Sequence, residues 1–132
     1  MKTTLYEATE SIRLLNELGG RKFPGHGRLS LKIYDNADVI QKKSDFLMQE
    51  TQKIVESYGA GPADPEHDDN RMVVKGPDGE IDEIATKKFI DEIVELRKTE
   101  VDLDLDPFTV EDMDLLDLSP AEIGQIRFMI EK

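Results

Sequence analysis

The sequence predicts a mainly α fold with a small β element, an α+β chain organised as a long antiparallel helical hairpin, a β-hairpin and C-terminal helices. Three observations carry that prediction. Residues 30–58 run without Pro or Gly, and Ile33, Ile40, Leu47 and Ile54 recur every seven positions, which is the seam of a long amphipathic helix. A shorter apolar stripe, Leu5, Ala8, Ile12, Leu15 and Leu18, precedes it and stops at Gly19-Gly20. Beyond Tyr58 the helical period gives way to short runs flanking Gly76-Pro77-Asp78-Gly79, a sequence with the chemistry of a tight turn.

Taken in order, Thr4 and Glu7 read as a capping box that opens a first helix over Leu5–Leu18. The connection Arg21-Lys22-Phe23-Pro24-Gly25-His26-Gly27-Arg28 is the most basic part of the chain, and Lys22 and Arg28 beside the start of the next helix are candidate anion contacts. The second helix spans 30–58. Four places after its large seam residues stand Ala37, Ser44 and Thr51, so a neighbouring helix can approach closely. At about 1.5 Å per residue this helix is roughly 43 Å long, whereas a compact chain of this size has a radius of gyration of about 14 Å. One end is therefore expected to project, or to be covered by another chain, which makes a homo-oligomer through 30–58 a candidate assembly. Val39 and Phe46 fall about 100° or more from the seam and need a second covering layer or a partner.

Gly59, Gly61, Pro62 and Pro65 end the helix, and the acidic loop to Asn70 reads as mobile. Met72–Lys75 and Glu80–Asp82 are expected to pair as a hairpin. The alternation Val101-Asp102-Leu103-Asp104-Leu105 predicts a strand with one wet face, giving room for a three-stranded sheet. Between them Ala85, Phe89, Ile93 and Leu96 define a helix over Glu83–Lys98, which Ile90 and Val94 broaden until it should pack on two sides. Thr109 and Ser119 are N-caps, the second with Pro120 and Glu122 completing a capping box, and Ile123, Ile126, Phe128, Met129 and Ile130 should dock the C-terminal helix on the body.

A chain of 132 residues with 38% hydrophobic and 35% charged residues is expected to form one domain. It has no cysteine, so disulfides and thiolate metal sites are excluded, and it has neither a signal-peptide pattern nor an apolar run that spans a bilayer. The expected setting is cytoplasmic. The net charge of −12 is unevenly spread. Residues 1–58 carry nine Lys/Arg against eight Asp/Glu, whereas residues 59–132 carry eight against twenty-one. Free nucleic acid and anionic membranes are poor partners for such a surface; a basic protein surface is a better one.

The order of the Leu-rich first helix, Lys22-Phe23-Pro24, the long helix closing on Tyr58-Gly59, the Gly-Pro-Asp-Gly turn, Glu100-Val101-Asp102-Leu103-Asp104 and Leu118-Ser119-Pro120-Ala121-Glu122 resembles a family of small, functionally uncharacterised proteins encoded by tailed phages and prophages of Gram-positive bacteria. The resemblance spans nearly the whole sequence, with departures at Gly25-His26-Gly27 and Pro65-Glu66-His67. It implies a phage origin and a host-cytoplasm setting, and it supplies no catalytic residues.

Reaction chemistry finds little support in the residues. Asp102-x-Asp104-x-Asp106 resembles the opening of a calcium loop, but Pro107 stands in place of its glycine and Met113 in place of its bidentate glutamate. Glu66-His67-Asp68-Asp69 lacks structural-zinc spacing, neither His26 nor His67 lies in a nucleophile context, and the glycines form no phosphate cradle. A non-enzymatic protein without metal or cofactor is expected. From Thr99 to Ile126 there is no Lys or Arg but nine acids, and a protein partner, host or phage, is expected to meet Asp102, Asp104, Asp106, Asp112, Asp114 and Asp117, with Phe108 among the apolar anchors and Val39 and Phe46 as further contacts. Two readings stay open. One is an acidic protein that binds and inhibits a host or antiviral-defence protein; the other is a virion or tail-assembly accessory protein that assembles through the long helix.

Overall fold

The computed structural model describes residues 1–131, mainly helical with two separate two-stranded antiparallel sheets. The elements are β1 (Lys2–Thr4), α1 (Leu5–Gly19), α2 (Gly27–Tyr58), β2 (Gly61–Asp64), β3 (Asp69–Val73), α3 (Glu83–Arg97), β4 (Glu100–Asp102), α4 (Val110–Leu116) and α5 (Pro120–Gln125). The chain divides into two compact units, Phe46–Lys98 and the remainder, and α2 runs without a break from one into the other.

In the first unit α1 starts where the Thr4 hydroxyl accepts the Glu7 amide at 3.2 Å. The Glu7 carboxylate accepts from the Thr3 hydroxyl at 2.8 Å. Ala8, Leu14, Leu15 and Leu18 then form the buried face of α1 and meet Leu29, Ile33 and Ile40 of α2. The third wall comes from the C-terminal segment, where Leu103, Leu105, Phe108, Leu116, Ile126 and Met129 are all buried. Each such Leu or Ile contributes about 1.5–3 kcal/mol relative to leaving it exposed.

Helix α2 begins at Gly27, three residues before the expected start at Ser30, because the His26 carbonyl accepts the Leu29 and Ser30 amides at 3.0 and 3.3 Å. The seam is realised, with Ile33, Ile40 and Leu47 buried. Beside it the fully buried residue is Asn36 rather than Ala37. The first part of α2 packs in the first unit, and Ile54, Val55 and Tyr58 pack against Val74, Phe89 and Ile93 in the second. The Ile33-Ile40-Leu47 column is covered by this chain's own residues, while Leu31, Tyr34, Phe46 and Met48 of the same helix are exposed. Gly59, at φ 61°, ends the helix. Its amide donates to the Glu56 carbonyl at 3.1 Å and the Ala60 amide to the Val55 carbonyl at 3.0 Å, the paired bonds of a Schellman stop.

The acidic strand pairs differently from expectation. Β4 joins β1, with Thr3 opposite Val101, and Met1 and Leu103 extend the ladder through a 2.7 Å bond from the Leu103 amide to the Met1 carbonyl. The three-stranded sheet is therefore replaced by two pairs drawn from different partners. Thr109 caps α4 in a full capping box with Asp112, and Ser119 caps α5 in another with Glu122. A 3-10 turn, Arg127–Met129, follows, and Phe108 is clasped there: its amide donates to the Met129 carbonyl and its carbonyl accepts the Glu131 amide, both at 2.8 Å.

In the second unit the hairpin is β2–β3, so the stretch read as a mobile acidic loop is the ordered one. Met72 faces Pro62 and Val73 faces Gly61, while the expected pairing about the turn is confined to the Lys75–Ile81 bridge and its flanking 2.8 Å bonds, from the Asp82 amide to the Val74 carbonyl and from the Gly76 amide to the Glu80 carbonyl. The Gly76–Gly79 turn itself forms, with Gly79 at φ 80°. Consecutive burial of Val73 and Val74 breaks the alternation a strand continuing through 75 would need. Helix α3 is capped by Asp82, whose carboxylate accepts the Ala85 amide, and it buries Phe89 and Ile93. Its second face does not pack: Ile90 and Val94 are exposed.

Candidate functional site

The segment 99–117 carries most of the residues expected to meet a partner, and it is held from beneath by the first unit. Leu103–Pro107 has no regular secondary structure, so its backbone groups need partners elsewhere. Asn36 supplies them. Buried at 1% exposure in the middle of α2, it accepts the Asp106 amide on Oδ1 and donates from Nδ2 to the Asp106 carbonyl, each at 2.9 Å. One helical turn earlier, Lys32 donates to the Pro107 carbonyl at 3.0 Å and to the Asp112 carboxylate at 2.6 Å. The amino group of Met1 holds Asp102 at 2.9 Å. An irregular acidic stretch is thus fixed at 102, 106, 107 and 112.

This scaffold sorts the expected contact residues. Phe108 is fully buried and forms part of the core, so its assignment as a partner anchor is corrected: Leu105, Leu116 and Phe108 face inward, leaving Val110 and Leu115 as the exposed apolar side chains of this stretch. Asp112 is corrected likewise, being half-enclosed and committed to Lys32 and to the Thr109 amide at 2.9 Å. Burial pushes the Asp112 carboxyl up, but the Lys32 and Thr109 hydrogen bonds and the Lys32 charge outweigh this and hold it below its usual value. Asp102 is held low by the hydrogen bond and charge of the Met1 amino group. Asp117 is the residue after α4, at φ 49°, a conformation that Asp tolerates better than most. Asp104, Asp106, Glu111 and Asp114 remain as outward carboxylates, with Asp106 at 3.9 Å from the Lys32 ammonium.

Elsewhere, Val39 is half-buried against the main core, whereas Phe46 is 47% exposed. Arg28 lines a cleft of about 350 Å³ at the start of α2, but Glu111 and Asp112 share that cleft and Lys22 does not line it, so the two cations do not converge on an anion. A depression of about 1000 Å³ is walled by Met1, Tyr6, Pro107, Phe128 and Ile130 and rimmed by charges of both signs, which favours neither ligand charge. His67 pairs with Asp64 at 2.8 Å. Among the described residues no cluster of three or more His, Asp or Glu side chains is placed to hold one metal ion, and no helix is long and apolar enough to cross a membrane.

The sequence reasoning missed Lys32 and Asn36. Their signal was available, since a Lys and an Asn stand four residues apart on the side of the helix that carries Ile33 and Ile40, but nothing local says what they hold. No protein-family model, curated protein or solved structure matches the chain.

Proposed function

We propose that this chain is a small, non-enzymatic, phage-encoded protein that binds and inhibits a host or antiviral-defence protein through its acidic C-terminal half. The observation that supports this reading is the double clamp of Asn36 on the Asp106 backbone, which fixes an irregular stretch whose carboxylates point to solvent. A loop held rigid while its charges face outward loses little entropy on docking, and outward carboxylates at Asp104, Asp106, Glu111 and Asp114 favour encounter with a basic surface. Val110 and Leu115 supply the apolar contacts that Phe108 does not.

Reversing Asp104, Asp106, Glu111 and Asp114 to Lys should abolish capture of the host protein that the unaltered chain retains from lysate. Undiminished capture of that protein by the reversed variant in moderate salt eliminates the proposal. The alternative, a virion or tail-assembly accessory role through the long helix, draws on Leu31, Tyr34, Phe46 and Met48, large apolar side chains exposed along α2. Mass spectrometry of purified particles separates the two, because only the accessory role places the polypeptide in the virion.

A further inference from the structure

The second unit is one continuous stretch, Phe46–Lys98, whereas the first is built from two, Met1–Asp45 and the segment from Thr99 onward. Those two pieces are tied to each other by bonds in which no residue of 46–98 takes part. Thr3 pairs with Val101. The Leu5 amide donates to the Thr99 carbonyl at 3.0 Å and the Leu103 amide to the Met1 carbonyl at 2.7 Å. Asn36 makes both of its bonds to Asp106, and Lys32 holds Asp112 at 2.6 Å. The core is shared in the same way: Ala8, Leu15 and Ile40 come from one piece, Phe108, Ile126 and Met129 from the other, and all six are fully enclosed.

The second unit is enclosed less completely. Its core residues Val74, Phe89 and Ile93 keep 8%, 4% and 9% of their surface, and Tyr58 closes over Phe89 edge to face at 5.8 Å. Met48, Met72, Ile84 and Ile90 of the same unit are exposed, so much of the apolar surface it carries never leaves the water. The free energy of a local opening follows the apolar surface that opening exposes, and this unit has the less to expose. Opening it leaves 46–98 as a loop between two pieces that stay bonded. The entropy of closing such a loop grows only with the logarithm of its length, so the first unit bears that cost without losing its fold. The helical hydrogen bonds of residues 27–45 are local and do not require the later turns of α2.

We propose that Phe46–Lys98 opens as a separate cooperative unit, unwinding the second half of α2 and releasing α3 and the β2–β3 hairpin, while the first unit keeps its fold. The acidic stretch 99–117 belongs wholly to the unit that stays folded. Opening therefore leaves the carboxylates of Asp104, Asp106, Glu111 and Asp114 presented as before, whatever that stretch binds. The chain is a stable acidic body carrying a module that can be unfolded or nicked without loss of that body.

Native-state hydrogen exchange of the full chain, read by mass spectrometry, tests this. Phe89→Ala should speed exchange across α3, β2–β3 and the last three turns of α2 at least about a hundredfold, and should leave α1 and the β1–β4 pair within about twofold of the unaltered chain. Brief digestion of the unaltered chain with a protease of broad specificity gives a second readout. Its first cuts should fall within 46–98, and the two flanking pieces should then co-elute on size exclusion with the slow exchange of the Phe108 amide preserved. Equal acceleration of every protected amide by Phe89→Ala is the mark of all-or-none unfolding and overturns the proposal. First cuts within α1, residues 27–45 or residues 99–117 overturn it as well, as does separation of the flanking pieces once 46–98 is cut.

Discussion

A single buried amide organises the acidic segment. Asn36 has poor helix propensity and would cost less on the surface, but in the core it uses both ends of its side chain on one peptide unit of a loop seventy residues away. Asn36→Ala leaves the Asp106 amide and carbonyl without that partner and should destabilise the fold by about 1–3 kcal/mol, read by denaturant titration, with the Asp106 amide losing hydrogen-exchange protection. Lys32 and Asp112 give a pH signature. Because the Asp112 carboxyl is held low in the folded chain, its ionised form contributes stability that is complete above the unfolded value of about 3.9 and is lost as pH falls through the lower folded value. Thermal melts from pH 6 downward should therefore lose stability below about pH 4, and Asp112→Asn should remove part of that slope while lowering stability at pH 7. Neither role was legible from residue type. Asp112 and Asp114 differ by two positions and by nothing in their chemistry; the direction of Lys32 and the capping box with Thr109 distinguish the structural acid from the solvated one.

Elements were read well where their signals lie within a few residues. Thr109 and Ser119 cap α4 and α5 as their sequences indicate, and the Gly59 stop forms with both of its backbone bonds. Gly59→Ala should cost about 1–2 kcal/mol, since a side chain at φ 61° is strained, and the loss should appear as fraying of the last turn in amide exchange. Strand pairing was read poorly. The Gly76–Gly79 turn is present, but Val74 is occupied by Thr86, whose hydroxyl accepts the Val74 amide at 2.9 Å and donates to the Val74 carbonyl at 3.3 Å. The Val74 carbonyl also accepts the Asp82 amide at 2.8 Å, so the helix side chain stands in for a strand partner at the Val74 amide alone. Thr86→Val should leave the Val74 amide without this partner, the carbonyl keeping the Asp82 amide, and cost about 1–3 kcal/mol, with faster exchange at Val74 as the check.

At the scale of the whole molecule, the net charge of −12 and the isoelectric point near 4.5 predict a solubility minimum close to that pH, measurable by turbidity. Each unit has its own core, one centred on Phe108, Leu15 and Ile40 and a smaller one on Val74, Phe89 and Ile93. Phe89→Ala should cost about 3–5 kcal/mol and lower amide protection in α3 and β2–β3. The sequence by itself determined the helices, their caps and stops, and the outward alternation of the acids at 102 and 104, because periodicity and capping act over three or four residues. Only the tertiary structure decided that β4 pairs with β1, that Phe108 and Asp112 turn inward, and that Ile90 and Val94 stay bare. Those outcomes depend on contacts between residues as far as 102 positions apart, such as Met1 with Leu103, and packing rather than local pattern selects among them.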